Sequence, residues 1–285
     1  MKICRTIAEV RAVVRDLRLS GQTVGFVPTM GALHAGHMSL VAAAKAENDA
    51  VITSIFVNPT QFGQQADLDK YPRTEDADCA MLEAAGVVAV FMPSVEIMYP
   101  DGAETIVETT KLANMLHGLV RPGHYRGVCT VVTKLFNIVG ADRAYFGEKD
   151  YQQLQVIRRM ARDLDVPTEV CGVPTVREAD GLAMSSRNVR LTPEDRSAAI
   201  VLNRSLIAAE TAARTGATVE AIAQTIRDTI ETEPRARDPH VDIVQALTLA
   251  PVSGRPSGTI GIMISAAFGP VDDPVLLIDQ REITL

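Results

Sequence analysis

The sequence has few cysteines, and none of them has the close spacing that builds metal sites or disulfide frameworks. Its four cysteines, Cys4, Cys79, Cys129 and Cys171, are spread over 285 residues, with no C-x-x-C pair. Structural zinc sites need clustered ligands, and disulfide-stapled folds are shorter and richer in cysteine. We therefore expect four reduced thiols that pack mostly as small, buried hydrophobic side chains.

Long hydrophobic runs are also missing. No apolar stretch reaches the ~18 residues that a membrane-spanning helix needs. Residues 1–5 lead into an amphipathic segment with Arg and Glu, which is unlike a secretory signal. These features predict a cytoplasmic protein with no membrane partner.

An excess of positive charge is absent as well. The chain has 28 Lys and Arg against 35 Asp and Glu, a net charge of −7 and a pI of about 5.3. Nucleic-acid-binding domains usually carry a basic stripe. Here the local cluster Arg158, Arg159 and Arg162 shares a helical pattern with Asp163 and Asp165, which is typical of a solvated face. We expect small-molecule substrates and no nucleic-acid partner.

Short β-rich runs alternate with helical patterns over residues 1–175. The β-rich runs are Val24–Val27, Val51–Val57, Val87–Met92, Arg143–Phe146 and Glu169–Val173, and the helical patterns lie near residues 7–17, 38–48, 73–85, 126–139 and 150–164. This alternation predicts an α/β fold, a Rossmann-like parallel sheet with helices on both faces. Ligands of such sheets bind at the carboxyl ends of the strands.

The pattern changes after residue 175. Ser197–Arg214 and Val219–Thr232 have helical periodicity, and three β-like runs follow at Val241–Leu249, Thr259–Phe268 and Val275–Ile278. We predict two domains: residues 1–175 bind the substrates, and residues 176–285 form a smaller α+β domain with an antiparallel sheet that covers the active site. The 285 residues suffice for this division.

The most informative segment is Pro28–His37, which joins a β-rich run to a helical pattern. A glycine-bearing turn at a helix start directs backbone N–H groups and the helix dipole at one point, which suits a phosphate. His34 and His37 are three residues apart, so a helical start places both imidazoles on one face. The glycine spacing is that of a P-loop, but His37 and Met38 replace its Lys and Ser/Thr. Geometry alone also explains many such turns.

Three further clusters follow predicted strands or lie in glycine-led loops: residues 58–63, 147–153 and 180–188. Asn58 and Gln61 offer amide groups, although Asn-Pro is also an ordinary turn. Lys149 opposes the dipole at a helix start, so a phosphate partner and a plain capping segment are about equally expected here. Arg187 with two serines can surround a polyphosphate, since its guanidinium offers a fork of donors. A fourth loop, at 121–127, is as easily a surface turn as a carboxylate site.

Taken together, these segments resemble the pantoate–β-alanine ligase (pantothenate synthetase) family. The matching stretches are residues 26–37, 54–62, 71–74, 146–153 and 181–188. The wider group is the nucleotidyltransferases, whose His-x-Gly-His element matches residues 34–37. Its Lys-Met-Ser-Lys-Ser element matches residues 184–187.

The resemblance implies an activity and its partners. ATP, (R)-pantoate and β-alanine would give pantothenate, AMP and pyrophosphate with Mg²⁺, through a pantoyl-adenylate intermediate. It also implies a homodimer and no metal site built from protein ligands, with Mg²⁺ held mainly by the ATP phosphates.

The resemblance also implies which residues act. The expected catalytic residues are His34, His37, Lys149, Ser185, Ser186 and Arg187. The ATP-binding set adds Met30, Gly31, Ala32, Leu33, Ala35, Gly36, Gly147, Glu148, Asp150, Val176 and Met184. Pantoate and β-alanine would be bound by Met30, Asn58, Gln61, Phe62 and Gln153.

Two other functions stay open at this stage. One is a different adenylyl-transferring enzyme. If its substrate were tRNA, the acidic charge and the lack of an anticodon-binding module would argue against it. The other is a nucleotide-binding regulator without activity. The group that deprotonates β-alanine, the dimer contacts and a lid role for the polar residues 62–69 are not fixed by the sequence.

Overall fold

The computed structural model describes residues 1–63 and 65–285, and for Ala66 and Asp67 only the backbone. The chain forms two compact units. The first comprises residues 1–147 and 152–173, and the second comprises residues 148–151 and 174–285. Within this described part, no helix is long and apolar enough to cross a bilayer.

The first unit contains a six-stranded sheet in the order β1-β4-β3-β2-β5-β6, in which every pairing is parallel. Its strands are β1 (Lys2–Cys4), β2 (Val24–Thr29), β3 (Ala50–Ile55), β4 (Ala89–Phe91), β5 (Arg143–Gly147) and β6 (Glu169–Val173). The predicted fold class is confirmed. The edge strand β1 was not predicted, because three residues carry no readable periodicity.

Helices connect these strands. They are α1 (Ile7–Leu19), α2 (Ala35–Glu47), α3 (Gln65–Asp69), α4 (Glu75–Ala84), α5 (Val95–Met98), α6 (His117–Val120), α7 (His124–Val139) and α8 (Tyr151–Asp163), with short 3-10 helices at Pro59–Gln61 and Leu112–Asn114. Residues 65–69 were expected in a polar loop and instead form α3, while Gln64 lies outside the described residues. The core between α2 and the sheet is built mainly from aliphatic side chains such as Val27, Leu40 and Val51, together with the buried Tyr145.

The pairing between β2 and β5 ends early, and a crevice opens between the carboxyl ends of these two strands. The chain runs from β2 outward to β3 and β4, then returns to β5 on the other side of β2, so this is the point where the strand order reverses. Strands β2 and β5 pair only at Gly25 and Phe26. The backbone N–H and carbonyl groups of even-numbered residues in β2 point toward β5, as the hydrogen bond from Asp142 N–H to the Val24 carbonyl shows. Pro28, which has no N–H, therefore lies where β2 no longer has a neighbour on that side. Ligands bind at such a crevice.

The second unit is an antiparallel three-stranded sheet with helices. Strands β7 (Arg237–Gln245), β8 (Thr259–Phe268) and β9 (Val275–Thr284) pair in that order. Helices α9 (Pro193–Ala198), α10 (Val201–Arg214) and α11 (Val219–Glu231) precede them, and a 3-10 helix covers Ser186–Arg190. The single helix expected over 197–214 is two helices, separated at residues 199 and 200. The unit's core includes Leu206, Ile226 and Ile262, all fully buried.

All four cysteines are free thiols, as predicted. Cys4 and Cys129 are buried, and Cys79 and Cys171 are half-buried. Burial raises the pKa of the Cys129 and Cys171 thiols to about 11, which leaves little thiolate at neutral pH.

Asp195 should make stability depend on acid pH. It accepts hydrogen bonds from the Thr192 hydroxyl and from Arg235, both at 2.8 Å, and these partners hold the pKa of its carboxyl below the usual 3.8. A lowered pKa stabilises the folded state above pH 3.8, and this contribution is lost as the pH falls below 3.8. Asp195→Asn should lower the free energy of unfolding at neutral pH by about 1 kcal/mol.

The measurement is denaturant unfolding across that pH range. The difference between parent and Asp195→Asn should shrink below pH 3.8, whereas Glu194→Gln, an exposed neighbour, should leave the profile unchanged. A pH-independent difference would contradict the role given to the carboxylate.

Candidate active site

In the turn after β2, the backbone N–H groups donate hydrogen bonds to side chains of the protein. Gly31 N–H donates to the Thr29 hydroxyl at 3.2 Å. Ala32 and Leu33 N–H donate to the two carboxylate oxygens of Asp78 at 2.9 and 2.8 Å. The N–H groups that the sequence led us to expect at a phosphate are therefore already hydrogen-bonded within the protein.

His34 and His37 form a reciprocal cap at the start of α2. His34 Nδ1 accepts from Gly36 N–H at 3.1 Å, and His37 Nδ1 accepts from His34 N–H at 3.3 Å. The ring centroids are 4.2 Å apart, tilted by 50°. Because each Nδ1 acts as an acceptor, the proton of each neutral ring is on Nε2. The predicted pair is thus brought together with Nε2–H as the donor of each ring.

Asp78 is the main residue here that the sequence did not reveal. It lies in the first turn of α4, is 2% exposed, and accepts a third hydrogen bond from the Thr74 hydroxyl at 3.1 Å. Hydrogen bonds to an ionised group contribute about 1.5–3 kcal/mol each. An acidic residue in the first turn of a helix is ordinarily explained by the helix dipole, so no sequence signal separated Asp78 from Glu75 or Asp76.

A network of buried amides follows β3. Asn58, 1% exposed, donates through Nδ2 to Gln61 Oε1 at 3.0 Å and to the Gly127 carbonyl at 3.2 Å. Its Oδ1 accepts from the Tyr99 hydroxyl at 2.8 Å and from Thr60. With every Asn58 polar atom engaged, its visible effect is to fix the orientation of Gln61.

Gln61 presents its amide nitrogen toward the turn. Its Nε2 lies 3.3 Å from Met30 Sδ, while His124 Nδ1 contacts its backbone carbonyl at 2.9 Å. Sulfur is a weak acceptor, so a better one can take this N–H. Phe62 is half-buried and stands edge-on to Tyr71, with ring centroids 5.7 Å apart. The structure thus brings Met30 and Gln61 into contact, as expected for one subsite.

Gln152 is a second residue that sequence reasoning left without a role. It is buried, donates through Nε2 to the carbonyls of Leu112 and Met115 at 2.9 and 2.7 Å, and accepts from His117 N–H. It therefore holds the segment 112–117 against α8. Its neighbour Gln153, predicted to bind substrate, is half-buried on the same helix.

A small cavity opens beside the turn. Its volume is about 180 Å³, and its walls are the carboxyl end of β3, the start of α4 and the segment after β4, with Met30, Gly31, Ile55, Phe56, Val57, Arg73, Thr74, Glu75, Asp78, Pro93, Ser94 and Val95 as lining residues. It is below the ~300 Å³ at which pockets for drug-sized ligands begin. Its position agrees with a ligand site at the carboxyl edge of the sheet.

In the second unit, ion pairs brace the loop that carries the predicted phosphate ligands. Arg177 forms two hydrogen bonds, at 2.7 and 2.9 Å, with the buried carboxylate of Asp279 on β9. Arg196 pairs with Glu178 and Asp180, each at 2.7 Å, and lowers the pKa of the Asp180 carboxyl. Gly181 has a φ of +98°, and a Cβ there would lie 2.4 Å from Asn203 Nδ2. This position therefore requires glycine.

The predicted residues of this loop lie along the braced segment. Val176 accepts from Met184 N–H at 3.0 Å, and Ser185 Oγ caps the 3-10 helix by accepting from Arg187 N–H at 3.2 Å. Arg187 is exposed, while Ser186 and Lys149 are half-buried.

Comparisons with known proteins identify relatives along the whole chain. The profile of the pantoate-beta-alanine ligase family matches residues 2–282. The pantothenate synthetase of Pelotomaculum thermopropionicum is 54% identical over 253 residues, which cover 88% of this chain and 90% of that protein.

Solved structures agree with these matches. A pantothenate synthetase from Thermus thermophilus is 46% identical, has a TM-score of 0.91, and aligns over 100% of both chains. A pantoate-beta-alanine ligase from Francisella tularensis, in complex with beta-gamma ATP and beta-alanine, is 35% identical. Its TM-score is 0.76, and the match covers 99% of this chain and 97% of that one.

Gly127 should be needed for the contact between α7 and the 3-10 helix that carries Gln61. A Cβ at position 127 would lie 2.6 Å from the Thr60 carbonyl oxygen and 2.8 Å from Gln61 Cα. Gly127→Ala must separate two backbones, and overpacking of this kind costs about 1–3 kcal/mol. Denaturant unfolding measures the loss.

The matched control is Gly63→Ala, where an added methyl group meets nothing within 4 Å. Equal stability of the two variants would show that α7 and residues 59–61 are not in the described contact.

Proposed function

This chain belongs to the pantoate–β-alanine ligase family and catalyses the ATP-dependent condensation of pantoate with β-alanine, and we propose that it does so through a pantoyl-adenylate formed at the His34–His37 turn. The products are then pantothenate, AMP and pyrophosphate. The reciprocal histidine cap is the observation that carries this proposal.

The adenylate solves a leaving-group problem. An amine does not displace an oxide from a carboxylate at neutral pH. In the first step a pantoate carboxylate oxygen attacks the α-phosphorus of ATP, the α–β phosphoanhydride bond breaks, and pyrophosphate leaves. In the second step the β-alanine amine attacks the acyl carbon, AMP leaves, and the nitrogen loses a proton. His37 and water are the two candidate acceptors for that proton.

His34 and His37 stabilise charge in the first step. Negative charge grows on the departing pyrophosphate, and Nε2–H donors fixed in advance are worth most at such a point. Their Nδ1 atoms are held by backbone N–H groups, so both rings are oriented before the nucleotide arrives. Positioning and charge stabilisation dominate phosphoryl-type transfers of this kind.

Gln61 recognises pantoate. Its Oε1 is engaged by Asn58, so its Nε2–H is the group left to donate to a pantoate oxygen in place of Met30 Sδ. Met30 and Phe62 supply apolar surface for the dimethyl carbon, and Gln153 supplies a second amide. Asn58 acts by orienting Gln61.

Residues in the segments 147–150 and 176–187 are assigned to ATP from the sequence motifs. Lys149, Ser185, Ser186 and Arg187 hold the triphosphate, since ammonium, hydroxyl and guanidinium groups all donate to phosphate oxygens. Gly147 and Asp150 contact the ribose, and Glu148, Val176 and Met184 complete the nucleotide contacts. The braced loop 176–187 supports this role, because its backbone is fixed by Arg177 and Arg196.

Mg²⁺ would be held mainly by the ATP phosphates. The described residues contain no group of three or more His, Cys, Asp or Glu that could hold a metal, and Mg²⁺ commonly binds through substrate phosphates. The ion neutralises pyrophosphate charge when bound. We also propose a cytoplasmic homodimer without a nucleic-acid partner.

Pyrophosphate release tests the function directly. Purified protein is given ATP and Mg²⁺ with pantoate and β-alanine separately and together. Sustained release is expected only with both, and pantoate alone should give a single burst as the adenylate fills the site. Sustained pyrophosphate release that does not depend on β-alanine would indicate a different adenylyl transferase. Nucleotide binding without any release would point to a regulator.

Gln61→Ala should impair the use of pantoate much more than the use of ATP. It removes the amide beside Met30 and leaves the histidine cap intact, so kcat/KM for pantoate should fall by about 10²-fold, with KM for ATP little changed. Steady-state kinetics with each substrate varied in turn gives both values. Equal losses for pantoate and ATP would contradict the assignment of Gln61 to pantoate.

A further inference from the structure

We infer that Asp78 is a positioning residue of the ligase reaction, whose carboxylate fills the anion-binding face of the turn and thereby directs the ATP phosphates to the His34 and His37 side chains. The inference rests on the proposed function. Asp78 touches no reacting atom in this scheme and acts through the turn.

The turn has the form of an anion-binding nest. Gly31 and Ala32 both have positive φ, at +85° and +51°, and the N–H groups of Ala32 and Leu33 converge on one carboxylate. Successive N–H groups arranged in this way bind anions such as phosphates. Here the anion is supplied by the protein, from a side chain that is 2% exposed.

The carboxylate also holds a strained backbone. A non-glycine residue with left-handed φ is unfavourable, and Ala32 occupies this region directly before the histidines. Position 31 favours glycine because its φ is +85° and because a Cβ would make tight contacts, 3.1 Å from Asp78 Oδ2 and 3.2 Å from Ile55 Cγ2. Asp78, fixed in turn by the Thr74 hydroxyl, therefore determines where residues 32–34 stand.

Two consequences follow for the nucleotide. First, the position of His34 N–H, which donates to His37 Nδ1, depends on the two residues that Asp78 holds. Second, a phosphate has no access to the N–H groups of Ala32 and Leu33 while the carboxylate fills them, and like charge disfavours its approach to that face. The imidazole Nε2–H groups are then the donors that this turn offers.

The test is Asp78→Asn, with Asp76→Asn as matched control two residues away on the exposed side of α4. An amide replaces one acceptor with a donor that faces backbone N–H groups. We expect kcat to fall by about 10–10²-fold, since small misplacement near the chemistry costs this much, while KM for ATP does not rise. An unfolded fraction would lower the apparent kcat without changing KM, so kcat is calculated per active site, counted by the pyrophosphate burst with pantoate alone. The control should stay within about twofold of the parent.

A double-mutant cycle tests whether Asp78 acts through the histidines. In a His34→Ala/His37→Ala background, Asp78→Asn should lower kcat by less than about threefold, because the side chains that Asp78 positions are gone. A loss as large as in the parent would overturn the inference, and so would an Asp78→Asn enzyme that keeps full kcat.

Two further measurements keep the result decisive. If Asp78→Asn does not fold, Thr74→Val removes only the hydroxyl that orients Oδ1, and kcat should fall by about threefold or more; unchanged kcat overturns the inference. Amide hydrogen exchange at Ala32 and Leu33 should be faster in Asp78→Asn than in Asp76→Asn, and equal exchange also overturns it. This readout needs no ligase activity, and an inactive parent would instead count against the proposed function.

Discussion

The hydrogen bonds between the Asp78 carboxylate and the N–H groups of Ala32 and Leu33 are the interaction on which the candidate site depends. They use the donors that a glycine-bearing turn after a β-strand normally gives to a phosphate. With those donors occupied, we propose that negative charge at this turn is recognised by side chains, above all by the two histidines that cap α2. In this proposal the turn acts mainly by orienting the two imidazoles, and its backbone N–H groups do not bind the phosphates.

The sheet explains why the turn that carries the two histidines lies where a ligand can reach it. Pairing between β2 and β5 ends after Phe26, and Pro28 lies on the side of β2 that has lost its neighbour. The first residues after β2 therefore leave the sheet at the point where the strand order reverses. Asn58 and Gln61 leave β3 at the same edge, and the contact between Gln61 and Met30 joins the two segments. The close approach of Gly127 to Thr60 fixes the second segment against α7.

Sequence patterns were sufficient for the parts of the fold that depend on periodicity and for the placement of His34 beside His37. The alternation of strands and helices, the antiparallel second unit and the pairing of His34 with His37 all follow from spacing. Asp78, Gln152 and Tyr99 could not be found in this way. Each acts by accepting or donating hydrogen bonds to residues far away along the chain, and such contacts leave no local signal. The division of Ser197–Arg214 into two helices was also invisible, because residues 199 and 200 are Ala and Ile, which suit a continuous helix.

The most direct test of this account is the protonation of the two imidazoles, read from ¹⁵N NMR of histidine-labelled protein at a pH where the rings are neutral. The account predicts unprotonated Nδ1 and protonated Nε2 at both His34 and His37. A non-hydrolysable ATP analogue should then shift the Nε2 resonances and leave the amide signals of Ala32 and Leu33 near their positions in the free protein. Protonated Nδ1 atoms, or a nucleotide that moves those two amide signals instead, would contradict the claim that this turn meets phosphate through its histidines.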